Sequence, residues 1–204
     1  MLNILFDFDG TLFDTDKAHE AAFRYMFETY NLGEFGSYEQ IKGIRTKDVF
    51  SKYVERQRAV KLASKKTRYY LENIKKINAL VRFDLLREAK KAGNRLFIVS
   101  GGSKKSIYSL LELHKLVSLF DGVVTSNDYN RSKPDPEPFL YCLEKYNING
   151  NIVGVEDSAA GVESLKNANI YAVGIHNDLI RDSADLFYSD INDFIKNYVL
   201  IENG

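Results

Sequence analysis

The segment Asp7-Phe8-Asp9-Gly10-Thr11 sets two carboxylates two positions apart, directly after the apolar run of residues 2–6. On a strand, residues i and i+2 point to the same side, so Asp7 and Asp9 leave it together. Gly10 permits the tight turn that brings both into one loop. A carboxylate can attack a phosphoryl group and form an acyl phosphate. A second carboxylate beside it can protonate the leaving oxygen and then activate water. Two acidic loop residues without chemistry would have the same spelling, so the pair needs company before it means anything.

Three further segments supply candidates. In FIVSGGS, Ser100 and Gly101 follow an apolar run. A hydroxyl and the backbone N–H groups of a glycine loop can hold phosphate oxygens, although Ser-Gly-Gly is also common in turns. SKPDPEPF contains all three prolines of the chain, Pro134, Pro136 and Pro138. Such a segment is stiff and presents Lys133 at a fixed place before a helix. There it is suited to neutralising charge on a phosphoryl group and an attacking carboxylate; the plainer reading is a surface lysine at a helix start. IVGVEDS ends an apolar run with Glu156 and Asp157. With Asp7 they could form an oxygen-rich site for Mg²⁺. Without a cation, that many carboxylates would repel one another and an incoming phosphate. A helix N-cap role for Asp157 or Ser158 is compatible with this.

These groups need elements to bring them together. Residues 2–6, NRLFIVSGG, FDGVVTS, NIVGVEDS and IYAVGI read as strands. FDLLREAKKAG, KKSIYSLLELHKL, PEPFLYCLEKYNI and AAGVESLKNANI read as the helices between them. A further short strand near Leu186 and a helix from Asp190 close the chain. Strands alternating with helices predict an α/β fold, a doubly wound parallel sheet with helices on both faces. In open parallel sheets ligands bind beyond the carboxyl ends of the strands. Asp7 and Asp9, Ser100 and Gly101, Lys133, and Glu156 and Asp157 all follow strand ends.

Residues 15–30 have helical spacing, 31–46 are glycine-dotted and loop-like, and 47–77 look helical and strongly charged. This stretch is expected to be a small helical cap, residues 15–80, inserted after the first strand. Residues 1–14 and 81–204 would form the catalytic core. The charge supports the division: residues 15–80 carry six more basic than acidic side chains, and the rest carries the opposite excess. The basic excess is densest in RQRAVKLASKKTR. That run reads either as a solvated helix face or as a field that draws in an anionic substrate.

The chain is 45% hydrophobic and 13% aromatic, enough for a sizeable core. Its one cysteine, Cys142, excludes an internal disulfide framework and sits in an apolar, helix-like run as a buried thiol. No apolar run approaches the ~20 residues of a membrane span. MLNILFDFDG does not read as a signal peptide, since it lacks a basic start. A cytoplasmic protein without membrane or nucleic-acid partners is expected, its oligomeric state open and compatible with a monomer.

Taken in order, DFDGT, Ser100, Lys133-Pro134 and Glu156-Asp157 resemble the motifs of the haloacid dehalogenase superfamily, over essentially the whole chain. The resemblance implies a Rossmann-like core and a helical cap inserted after the first motif. It implies Asp7 as nucleophile, Asp9 as general acid/base, Ser100 as a phosphate ligand and Lys133 as a charge stabiliser. Mg²⁺ would be held by Asp7, Asp157 and the backbone carbonyl of Asp9, with Glu156 acting through water. Gly10, Thr11 and Gly101 fall in the phosphate-binding loops. EDSAAGVESLKNA and SKPDPEPF are similar to the beta-phosphoglucomutase-like branch. IKGIRTKDVF, with Gly43 and Arg45, resembles that branch's substrate-contacting cap loop, and His19 falls at the cap hinge. Thr11 looks more like the phosphatases of the superfamily, and INALVRFDLL lacks the usual Pro-Gly after the cap. The expected activity is Mg²⁺-dependent hydrolysis of a small phosphorylated metabolite through an aspartyl phosphate. The alternatives are a sugar-phosphate mutase and a non-catalytic phospho-ligand binding protein.

Overall fold

A computed structural model describes residues 1–202. Five apolar runs and one short C-terminal one form six strands: β1 (Asn3–Phe6), β2 (Arg95–Val99), β3 (Gly122–Val124), β4 (Ile152–Glu156), β5 (Tyr171–Ile175) and β6 (Leu186–Tyr188). They pair in parallel throughout, in the order β3-β2-β1-β4-β5-β6. The order reverses beside β1, which puts the crevice of this doubly wound, Rossmann-like sheet at the end of β1 and β4. Asp7 follows β1 directly and its N–H donates to the carbonyl of Val155, 2.9 Å away.

Strand alternation builds two apolar layers. Ile4, Phe6, Leu96, Ile98, Val153 and Val155 face one side. There they meet α4 (Phe83–Lys91), α5 (Lys104–Leu113) and the C-terminal helix, which begins as α8 (Ile191–Phe194) and continues with π-type winding over Ile195–Glu202. Leu5, Phe97, Val99 and Val124 face the other side, against α6 (Glu137–Lys145) and α7 (Ala159–Asn167). Both faces are covered, which is why the strands read as continuous apolar runs. Cys142 is a free, buried thiol in the second layer, and burial pushes its pKa up to about 12.

Between β1 and β2 the chain forms α1 (Asp16–Tyr30), α2 (Thr46–Phe50) and α3 (Arg56–Glu72). These bury an apolar cluster of their own around Phe23, Met26, Phe27, Val49, Phe50 and Leu62. The helix read from residues 47–77 is thus two helices with a break at residues 51–55. The break lets Val49 and Phe50 on α2 and Ala59 and Leu62 on α3 face the same cluster, so packing overrides local helical preference. The two connections to the sheet run side by side. Phe13 bridges Ala79, the Asp14 N–H donates to Asn78, and the Leu80 N–H donates to Leu12. Among the described residues no helix is long and apolar enough to cross a membrane.

Leu86 on α4 is fully buried in the first layer. Leu86→Ala should lower the unfolding free energy by about 3 kcal/mol, through lost transfer energy and a residual cavity. Urea denaturation followed by circular dichroism measures this.

Candidate active site

Asp7 and Asp9 leave β1 on a turn closed by Gly10, whose φ is +80°. A Cβ at Gly10 would lie 2.0 Å from Asp157 Oδ2, so only glycine lets the β1 loop approach the end of β4 this closely. Asp7 is 4% exposed, Glu156 0% and Asp157 2%. One oxygen from each lies within 4.8 Å of those of the other two. An all-oxygen cluster of this kind suits a hard divalent cation.

Lys133 is buried beneath these carboxylates. Its Nζ donates to Asp7 Oδ1 at 2.7 Å, to the Val99 carbonyl at 3.0 Å and to Glu156 Oε1. Burial disfavours its charge, but Asp7 and Glu156 more than offset this and raise its pKa. The second oxygen of Glu156 accepts from the Ser158 hydroxyl, and that hydroxyl also caps α7 by accepting the Gly161 N–H. Asp7 stays well above the usual carboxylate range because of its burial; Glu156, Asp157 and Asp9 add to this and Lys133 opposes it. Asp157 is pushed up to about 7, also by burial first, with Lys42 pulling it down and Glu156 pushing it up. Three carboxylates thus meet the two ammonium groups of Lys133 and Lys42, and a further cation would favour the ionised forms that burial disfavours.

Asp9 behaves differently. Burial opposes its charge, yet His19, then the Thr15 hydroxyl and Lys66, bring its pKa down to about 2. His19 Nε2 lies 2.9 Å from Asp9 Oδ1, and its Nδ1 lies 2.7 Å from Lys66 Nζ. A lysine amine donates and a carboxylate accepts, so Nδ1 is the acceptor and Nε2–H the donor of a neutral imidazole. Consistently, burial and Lys66 lower the pKa of His19 against the pull of Asp9. Lys66, 3% exposed, is itself lowered to about 7 by burial. The ring of His19 is stacked on Tyr70 at 4.4 Å, which fixes its plane.

Ser100 follows β2. Its hydroxyl accepts the Gly102 N–H at 2.9 Å and donates to the other oxygen of Asp9 at 3.2 Å. Gly101 and Gly102 border the same cavity as Asp7, Asp9, His19 and Lys66, together with Gly43 and Ile44 from the loop before α2 and Thr46 at its first position. The cavity encloses about 40 Å³, room for only a few waters.

Two residues singled out in the sequence lie elsewhere. Thr11 is fully buried, outside the cavity lining. Arg45 is 3% exposed and spends its guanidinium on Asp48 and on the carbonyls of Tyr129 and Asn130, stacked over the Tyr129 ring. It ties the loop before α2 to the loop after β3. Two other lysines take the central places instead. Lys42 Nζ sits 2.5 Å from Asp157 Oδ2 and 2.6 Å from Asp16 Oδ2, and Lys66 supports His19. For Lys66 there was a signal: Ala59, Leu62, Lys66 and Tyr70 form the inward stripe of α3, so one lysine of the basic run falls on the apolar face. Lys42 neighbours Gly43 in IKGIRT, but its residue type alone says nothing.

The comparisons with known proteins agree with this architecture. The haloacid dehalogenase-like hydrolase family model matches residues 4–175. The chain is 29% identical over 206 aligned positions to the pyrophosphatase PpaX of Oceanobacillus iheyensis, covering 94% of each chain. It is 31% identical to the PpaX of Bacillus velezensis, over 84% of this chain and 82% of that one. The solved beta-phosphoglucomutase of Clostridium difficile superposes with a TM-score of 0.81 at 25% identity, covering 95% of this chain and 93% of the other. With a matching model over most of its length and the carboxylates in place at the crevice, the chain belongs to the haloacid dehalogenase-like hydrolases.

Proposed function

We propose that this phosphohydrolase is a Mg²⁺-dependent phosphomonoesterase of small phosphorylated metabolites, working through an aspartyl phosphate on Asp7. The observation that carries the reading is the pair Asp7 and Asp9 on one small cavity, with Lys133 fixed on Asp7 Oδ1. Lys133 orients the carboxylate and leaves Oδ2 to attack phosphorus in line. Attack forms the Oδ2–P bond and breaks the bond from phosphorus to the leaving oxygen, which takes a proton from Asp9. Asp9 then removes a proton from water, which attacks the acyl phosphate, releasing phosphate and restoring Asp7. The resting structure holds Asp9 in its base form. It becomes the acid only after taking up a proton, as an anionic phosphoryl group nearby favours.

Asp7 and Asp157 would hold Mg²⁺, with the Asp9 carbonyl and, through water, Glu156, as the family resemblance implies. When bound, the ion supplies positive charge to the phosphoryl oxygens and the attacking carboxylate. Ser100 and the N–H groups of Gly101 and Gly102 would receive the phosphoryl oxygens, with Gly10 and Thr11 completing the first loop. Residues 15–80 act as a cap on the core of residues 1–14 and 81–204, hinged at the paired linkers around Phe13 and Ala79. The present cavity is too small for a sugar phosphate, so substrate enters with the cap open and reacts with the cap closed around it in a wider position than the one seen here. The PpaX relatives are named pyrophosphatases, which puts inorganic pyrophosphate on the panel of substrates to try beside sugar phosphates. A cytoplasmic setting fits such substrates. A mutase reading has one observation in its favour, the likeness to beta-phosphoglucomutase. It predicts isomer formation from a hexose 1-phosphate in place of phosphate release.

Asp7→Asn should reduce Mg²⁺-dependent hydrolysis of para-nitrophenyl phosphate by at least about a thousandfold; undiminished turnover would sink the reading. A second test concerns Asp9. His19 pulls its pKa down while burial pushes it up. His19→Ala should therefore raise the pKa of Asp9, so its base form is lost at higher pH. The acidic limb of kcat against pH should move upward, and an unmoved limb would remove His19 from the control of Asp9.

A further inference from the structure

Lys42 is the group that brings a positive charge onto the metal-ligand candidates from outside the sheet. It follows a short 3₁₀ turn, Glu39–Ile41, and precedes Gly43. Gly43 has φ +79°, and a Cβ there would lie 2.8 Å from Ser158 Oγ. Glycine thus lets this loop press against the turn between β4 and α7, and the same approach delivers the Lys42 ammonium to Asp157. Lys42 is 9% exposed, and its Nζ lies between Asp157 Oδ2 at 2.5 Å and Asp16 Oδ2 at 2.6 Å. Asp16 begins α1 and belongs to the same helical unit as Lys42. Asp157 belongs to the core and is one of the three clustered carboxylates.

An ammonium and a dication that share one buried carboxylate repel each other, and each lowers the affinity of the site for the other. We propose that Lys42 is a cap-borne counter-ion that competes with the divalent cation for Asp157, so that docking of this loop and cation capture oppose each other. This rests on the metal-site reading given above. Asp16 gives the arrangement its second position: when Asp157 turns to a metal, Asp16 keeps the ammonium paired. The cation therefore loads most readily with the loop withdrawn. The resting protein closes over its carboxylates with a charge of its own.

The test is a direct Mg²⁺ titration by isothermal calorimetry, without substrate, on the full-length wild type, Lys42→Met and Lys42→Gln. Met keeps the length and removes the charge. Gln keeps a hydrogen-bond donor for Asp157, so the folded variant remains available if Met destabilises the loop. Competition predicts that both neutral variants bind Mg²⁺ about tenfold tighter than wild type or more. A purely structural role for Lys42 predicts unchanged or weaker binding, and either result overturns the proposal. Asp157→Asn separates this from the underlying reading. If it binds Mg²⁺ as well as wild type, the metal site itself is misplaced and both fall. If it loses binding while the Lys42 variants match wild type, only the competition falls.

Discussion

One buried ammonium holds the working end of the sheet together. The three N–H donors of Lys133 go to Asp7 after β1, the Val99 carbonyl at the end of β2 and Glu156 at the end of β4. All three strands are neighbours at the point where the strand order reverses. A lysine this deep is tolerated because every proton it can donate is used and two carboxylates face it. Remove it, and Asp7 and Glu156 become buried like charges with no cation beside them, at a cost of several kcal/mol. The fold and the candidate site thus share one interaction. The contact that aligns the strand ends also sets which oxygen of Asp7 is free.

The helical unit supplies the other donors that meet the sheet layer. His19 meets Asp9, Lys42 meets Asp157, and Arg45 meets the carbonyls of Tyr129 and Asn130. Each pairs a donor from residues 15–80 with an acceptor of the sheet layer. The opposite charge excesses of the two parts of the chain are therefore expressed at their junction by a few inward side chains. Most of the basic run on α3 stays exposed, and Lys66 alone of its lysines is turned in.

Much of this was legible in the residues. Strands buried on both faces are spelled by uninterrupted apolar runs, so β1, β2, β4 and β5 could be read directly. Strand ends must lie on one edge of a parallel sheet, so Asp7, Ser100 and Glu156 could be placed near one another without coordinates. The helical unit was harder. Its cluster is built from side chains on three helices and the loops between them, and the break between α2 and α3 answers to that packing, with no proline or glycine to mark it. Arg45 and Lys42 show the same limit. They stand three positions apart in one loop, both cationic, and only the register of that loop against the core decides which meets the carboxylate of Asp157 and which grips a backbone.

That register has a chemical consequence. His19 holds Asp9 below the usual carboxylate range against the effect of burial, and His19 is itself kept neutral by burial and then by Lys66 at its other nitrogen, with its ring stacked on Tyr70. His19, Lys66 and Tyr70 belong to α1 and α3, whereas Asp9 belongs to the loop after β1. A movement of the helices away from the sheet would take all three at once and leave Asp9 to water. The position of the helical unit then sets which donors meet Asp9 as well as access to it. The Asp9–His19 pair exists only in the arrangement that also narrows the cavity bordered by Asp7 and Asp9.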